Sequence, residues 1–263
     1  RSTHHTRIRS LRCGPLLGSD SHPETTGYSD HHSIASQQSL ESFLKPRLNI
    51  LLVSNYRLDE QFSMLGFARM LRNGLEQTGL NISECYPKSF FGRFSGNSSR
   101  FRKWLAYVDK YLIFPATIGK LLKNLSPDLV HLCDHSNSVY IPSFGNVAKL
   151  VTCHDVIAIR SALEDFPQTK IGGMGKKLQA RIFRNLKQAD HVTCDSENSR
   201  QDLQNLAPCL RNKSNVVHLG FNQPMQRMKE DEAKRVMSSL ALSSSTPFLL
   251  HVGNDAWYKN RCG

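Results

Sequence analysis

No stretch of this 263-residue chain approaches the ~18 consecutive apolar residues that a membrane-crossing helix needs. The N-terminus is rich in Arg, His and Ser and has no apolar core of the kind a secretory leader carries, so none is expected there. No C-x-x-C pair occurs among the seven cysteines, Cys13, Cys85, Cys133, Cys153, Cys194, Cys209 and Cys262. Three of them, Cys133, Cys153 and Cys194, sit inside apolar runs, where a free thiol behaves as a small hydrophobe. The expectation is a reducing, cytoplasmic compartment and no disulfide framework. The first residue is not Met, and the sequence is expected to be a fragment at that end.

Several catalytic signatures are missing too. After the first apolar run, "SNYRLDEQFSML" stands where a G-x-G-x-x-G would open a helix, which argues against a dinucleotide site. There is no G-x-S-x-G elbow for a serine hydrolase and no H-E-x-x-H for a zinc protease. No two aspartates stand two positions apart, so the aspartate-x-aspartate metal clamp of many sugar-transferring folds is absent. "GGMGKK", at 172–177, lacks Walker spacing and no strand feeds it; it reads as a loop opening a helix. Acidic residues are scarce, 22 against 34 basic ones, giving a net charge of +12. Such a chain attracts anions: nucleic acid, acidic lipid headgroups or phosphorylated ligands.

What is present begins with a core. Hydrophobic residues make up 39% of the chain. Residues 1–46 have few of them and no sustained periodicity, and are expected to be disordered. Their His4-His5 and His31-His32 pairs suit either a metal or a solvated tail. From "RLNILLVSNY" onward, short apolar runs alternate with helical patterns. The runs are Leu48 to Val53, "PDLVHLCDHS", "KLVTCHDVIAI", "ADHVTCDSENS", "SNVVHLGFN" and "FLLHVGND". Between them, Met64, Phe67, Ala68, Leu71 and Leu75 recur at helical steps, as do Leu178, Ile182 and Leu186, and a further helix is expected over Glu197 to Leu206. Strand and helix alternating in this way predict an α/β fold, a Rossmann-like, mainly parallel sheet flanked by helices.

Each run ends in polar residues: Asn55 and Tyr56; Asp134, His135 and Ser136; His154 and Asp155; Asp195 and Ser196; Asn222; Asn254 and Asp255. Open parallel sheets bind ligands outside the carboxyl ends of their strands, so the set proposes one shared cleft. Taken singly, Ser196 reads equally as a helix N-cap, and Asp134 and Asp155 as acceptors for loop amides. The region from Lys88 to Lys123 holds eight basic residues and one acid, Asp109. As a helix it places Phe101, Trp104, Leu105, Val108 and Leu112 on one face, which is expected to pack on the sheet. Its cations could also touch anionic lipid headgroups.

In order and spacing, "LVTCHDV", "LKQADHVTCDSENSRQDL", "VVHLGF" and "LLHVGN...YKNR" resemble retaining GT-B enzymes of glycosyltransferase family 4, from about Asn49 to Gly263. The resemblance implies an acceptor-side domain over 47–222, a connection with a helix over 223–246, and at 247–263 the first strand and loop of a truncated donor-binding domain. The activity implied is transfer of a sugar from a nucleoside-diphosphate donor to a hydroxyl of a glycan or lipid-linked glycan, without metal or cofactor. It also implies roles. His154 would face the donor sugar as a catalytic residue. Lys259 would neutralise the departing diphosphate, with Gly253, Asn254 and Arg261 around the donor. Many members carry an arginine where Asn254 stands. Asn55, Tyr56, Gln61, Ser63, Asp134 and Asp155 are the acceptor-side candidates; the loop holding the first four lacks the glycines usual there, and Arg57 lies among them. The fragment alone is expected to be inactive. Peripheral contact with an anionic membrane face is a further expectation, and no nucleic acid is expected, because the basic residues follow no reader motif. The alternatives are a non-catalytic sugar- or nucleotide-binding module and, behind it, a basic nucleic-acid-binding protein suggested by the net charge of +12.

Overall fold

The computed structural model describes residues 47–91, 99–221, 226–243, 247–253 and 256–260. The expected disorder of 1–46, with its histidine pairs, lies outside them. So do Asn222, Asn254, Asp255 and Arg261.

Six strands form one wholly parallel sheet: β1 (Asn49–Val53), β2 (Asn81–Cys85), β3 (Leu129–Leu132), β4 (Ala148–Cys153), β5 (His191–Cys194) and β6 (Ser214–Val216). Their spatial order is β2-β1-β3-β4-β5-β6. The chain moves outward from β1 to β2, then returns to place β3 on the other side of β1. This reversal creates a crevice beyond the carboxyl ends of β1 and β3. The Rossmann-like α/β architecture expected from the sequence is the one observed.

Side chains alternate across the sheet, as strand geometry requires. Leu51, Val53, Val130, Leu132, Val151, Cys153, Val192 and Cys194 point into the larger core cluster. There they meet Phe114 and Ile118 from one helix, Ile182 and Leu186 from a second and Leu203 from a third. Ile50, Leu52 and Cys133 face the other way and are covered by α1 (Phe62–Gln77) through Phe67 and Ala68, with Met70, Leu71 and Leu75 at the margin. Gly79, at φ +80, carries the chain away from the end of α1 in a conformation that side chains disfavour.

The helices facing the larger cluster follow their sequence signals closely. α5 (Gly173–Leu186) opens at the Gly-rich loop, and α6 (Glu197–Leu206) is capped by Ser196, whose hydroxyl accepts from the Ser199 amide at 3.1 Å. The basic region is one long helix with an interruption. α2 (Ser99–Val108) and α3 (Phe114–Leu125) are joined by a π-helical turn over Asp109–Ile113. Pro115 lies just beyond it and cannot donate to the carbonyl of the preceding turn; a π-turn relieves that conflict.

The π-turn also corrects an expectation. Leu105 is buried, but Trp104 and Leu112 are 60% and 67% exposed, so only part of the apolar face is buried. The widened turn rotates Leu112 away from the stripe that α-helical spacing assigns to it. The side chain of Phe101 is outside the described set. A second correction concerns Phe248 to Val252, expected as a strand. It is irregular, with Leu249 and Leu250 open to solvent, and among the described residues no strand lies beside it to pair its backbone. The connecting helix is present as α7 (Glu230–Ser239), and α4 (Ile157–Ala162) follows β4. Among the described residues, no helix is long and apolar enough to cross a membrane.

Candidate functional site

A cleft of about 900 Å³ opens beyond the carboxyl ends of β3 and β4. Seven of the residues to which the resemblance gives donor, acceptor or catalytic roles line it, Gln61, Ser63, Asp134, His154, Asp155, Gly253 and Lys259, together with His135 and Ser136 of the strand-end set. Its size suits a small-molecule ligand.

The sheet-side wall is held by polar groups that satisfy one another. Asp134 follows β3 and is buried; its Oδ2 accepts from Asn55 Nδ2 at 2.7 Å and its Oδ1 from the Ser136 amide at 2.9 Å. Asn55 Nδ2 also donates to Gln61 Oε1, and Asn55 Oδ1 accepts from Asn137 Nδ2 at 2.8 Å. His135 Nδ1 lies 3.2 Å from Asp134 Oδ1, at an angle outside good hydrogen-bonding geometry, and forms an ion pair with it when the ring is protonated. Burial pushes the Asp134 carboxyl up; His135 beside it, the Ser136 amide and Asn55 outweigh that and hold it well below the usual carboxylate range. Burial lowers His135 in turn, and Asp134 more than restores it, leaving its pKa raised.

Two of the acceptor-side candidates lie away from this cleft. Asn55 and Tyr56 are only 3% and 2% exposed, and neither lines the cleft. Asn55 closes the crevice between β1 and β3 by bonding across it. Tyr56 turns inward and donates from its hydroxyl to buried Asp109 Oδ2 at 2.9 Å. Asp109 Oδ1 accepts from the Phe91 amide as well, so the lone acid of the basic region anchors two loops from the π-turn. Asp155 lines the cleft, and its Oδ1 accepts from the Ile157 amide at 2.9 Å at the start of α4.

His154 stands at the tip of β4, packed edge-on against Phe67 with ring centroids 4.8 Å apart. Its Nε2 is 3.1 Å from the Cys133 carbonyl, an oxygen that only accepts, so Nε2 carries the proton and donates. Its Nδ1 faces Asp195 Oδ2 at 3.4 Å. The ring therefore bridges the ends of β3 and β5. Nε2 holds the carbonyl at the end of β3, and Nδ1 lies beside a carboxylate that pairs with it only when the ring is protonated, so His154 braces the strand ends chiefly through Nε2. The Ser199 hydroxyl donates to the His154 carbonyl at 2.8 Å and lies 3.3 Å from Asp195 Oδ1, tying the brace to α6.

The opposite wall is thin. Trp257, Tyr258 and Lys259 form a single 3₁₀ turn. Trp257 rests on Phe166 with ring centroids 5.0 Å apart, and Phe166 is flanked by Arg160, which bridges Asp165 and Asp202. Lys259 is exposed and lies 5.5 Å from the Tyr258 ring centre.

Gln179 of α5 was not visible as a site residue in the sequence. Its Oε1 is buried with no hydrogen-bond partner among the described residues, and it lines the same cleft. A buried orphan acceptor is costly unless a ligand donor or water completes it. A mid-helix glutamine carries no local signal of that position.

A Rossmann-like domain with a cleft at its strand ends, apolar over much of its lining and set with a few polar and charged groups, is the class that this geometry defines. The sequence model of Glycosyltransferase Family 4 matches residues 70–223, more than half of the chain, and the chain belongs to that family. A comparison with curated proteins finds no match. Among solved structures, a crystal structure of Glycyrrhiza uralensis UGT73P12 complexed with glycyrrhetinic acid 3-O-monoglucuronide is similar at 8% identity and a TM-score of 0.43, covering 67% of this chain and 49% of that one. A Polygonum tinctorium UDP-glucosyltransferase capable of glucosylating indoxyl, in complex with 3,4-dichloroaniline, is similar at 12% identity and a TM-score of 0.41, covering 74% and 56%. The chain spans about half the length of these solved structures.

Proposed function

We propose that the strand-end cleft serves the transfer of a sugar from a nucleoside-diphosphate donor to a hydroxyl acceptor, with retention at the anomeric carbon as the family resemblance implies. Residues 47–222 supply the acceptor side and the turn around Lys259 the donor side. The observation that carries this reading is the convergence of Asp134, His154, Asp155, Gln179 and Lys259 on one cleft.

The division of labour follows from the contacts. Lys259, an exposed cation on the cleft wall, is the group free to answer a diphosphate, and a fixed cation there stabilises charge gathering on the leaving group. Gln179 Oε1 accepts from a sugar hydroxyl. Ser63 and Asp155 are the side chains that meet the acceptor, Gln61 being tied to Asn55. His154 is a positioning residue, holding the tips of β3, β4 and β5 in register around the sugar. The glycan or lipid-linked nature of the acceptor follows from the resemblance.

Trp257 lines the cleft beside Lys259 and is one of only two tryptophans in the chain, so its fluorescence reports binding there. Titration with uridine diphosphate should quench emission from the whole chain but not from a Trp257→Phe variant. Lys259→Ala should weaken binding about tenfold, the loss of one charge-assisted contact, with an unchanged urea midpoint. Equal affinity in Lys259→Ala and the parent would refute the donor-side assignment.

A further inference from the structure

A second cleft, of about 510 Å³, lies at the sheet edge where β2 ends and shares no lining residue with the strand-end cleft. Its floor is apolar. Phe114 and Cys85 are buried there, Ile113 and Leu121 are half-buried, and Phe90 stands as an exposed wall. Burial pushes the Cys85 thiol up to about 12, so the floor stays uncharged at physiological pH.

The rim is cationic. Lys88 and Lys120 both line the opening, both are exposed, and neither has a carboxylate partner among the described residues. Glu84 is the one acid in the lining, and it is already engaged: its Oε1 accepts from the Ser54 hydroxyl at 2.6 Å and its Oε2 lies 3.7 Å from Arg72 Nη1. Lys88 also borders a neighbouring hollow of about 270 Å³, which holds Arg57 stacked over the Tyr86 ring at 4.1 Å. The positive field therefore continues along the edge.

The wall is pre-organised. Asp109, buried in the π-turn, accepts from the Phe91 amide at 3.1 Å and from the Tyr56 hydroxyl at 2.9 Å, which fixes the loop after β2 against the helix. A cleft with an apolar floor and unpaired ammonium groups at its mouth matches a ligand with the converse arrangement. We infer that this cleft binds a single-chain anionic amphiphile, its alkyl chain on Phe114 and Leu121 and its anionic head between Lys88 and Lys120. Ammonium groups hold phosphate or carboxylate as point charges with no demand for bidentate geometry, so the head is defined by charge more than by shape.

The test uses the full chain, titrated calorimetrically with dodecyl phosphate below its critical micelle concentration. One-to-one binding is expected, at least tenfold tighter than inorganic phosphate and tighter than the neutral dodecyl maltoside. The double variant Lys88→Ala/Lys120→Ala should lose about tenfold or more in dodecyl phosphate affinity, keep the parental urea midpoint and bind uridine diphosphate as the parent does. Undiminished binding by the variant overturns the proposal, as does equal binding of the maltoside. Inorganic phosphate binding as tightly as dodecyl phosphate reduces the cleft to a charged patch and overturns it too. Binding only to phosphatidylglycerol vesicles, with none to the monomer, would replace the cleft by a bilayer-facing surface.

Discussion

The two walls of the strand-end cleft are built on opposite principles. The wall formed by the ends of β1, β3, β4 and β5 is dense: Asn55, Gln61, Asp134, Asn137, His154, Asp195 and Ser199 bond to one another or to strand-end backbone. The wall formed by Trp257 to Lys259 is one turn resting on Phe166, and its cation is exposed. The contrast separates two jobs that the sequence alone runs together. Polar residues on the dense wall hold the shape of the site, and those on the thin wall are available to meet a charged ligand.

The largest expected effect comes from breaking the dense wall. Asp134→Ala removes a buried carboxylate that serves Asn55, the Ser136 amide and His135 at once. Loss of such a partner costs about 3–5 kcal/mol, read as a fall in the urea midpoint. A loss under about 1 kcal/mol would mean that the network is ornamental.

Beneath the same wall, His131 Nε2 lies 2.8 Å from Thr152 Oγ1, and burial, helped by His154 nearby, lowers its pKa to about 4. The unfolded chain takes up a proton at this position below about 6.5, while the folded chain does not until about 4. Its contribution is therefore complete above pH 6.5 and is lost as pH falls towards 4, about 3 kcal/mol over that window. His131→Gln, which keeps a hydrogen-bonding group near Thr152, should flatten the stability profile between pH 6.5 and 4 relative to the parent. Parallel profiles would show that the ring titrates normally. Protonation of Asp134 belongs to a more acidic window, because its pKa is held below the ordinary range.

The thin wall should behave oppositely. Trp257→Ala removes the contact with Phe166 and should change global stability by about 1 kcal/mol or less, since the side chain is partly exposed. Uridine diphosphate affinity, measured calorimetrically, should nonetheless fall several-fold because Lys259 loses its support. A stability loss matching that of Asp134→Ala would erase the distinction between the walls.

The sheet was readable in the sequence because runs such as "NILLV" and "KLVTC" are buried on both faces and carry a strong apolar signal. β2, "NISEC", was not, since an edge strand with Ser83 and Glu84 half-buried has no such run. The buried 3₁₀ stretch His135–Phe144 has neither strand nor α-helical period, and Pro142 interrupts it. The strand-end placement of Asp134, His154 and Asp155 was also legible, because a parallel sheet fixes where its loops emerge. What each side chain does there was not. Whether Asn55 faces a ligand or Asp134 depends on partners 79 residues away, which no local pattern encodes. The role of Asp109 was illegible for the same reason: its partners are Tyr56 and Phe91, both distant in sequence.

Amide hydrogen exchange of the full chain with and without saturating uridine diphosphate reads both walls at once. If one ligand spans the cleft, protection should rise together at 134–137, 154–157 and 257–260, with little change at 84–90 and 113–124. Protection confined to the sheet edge, or none at 257–260, would contradict a donor site at the strand ends.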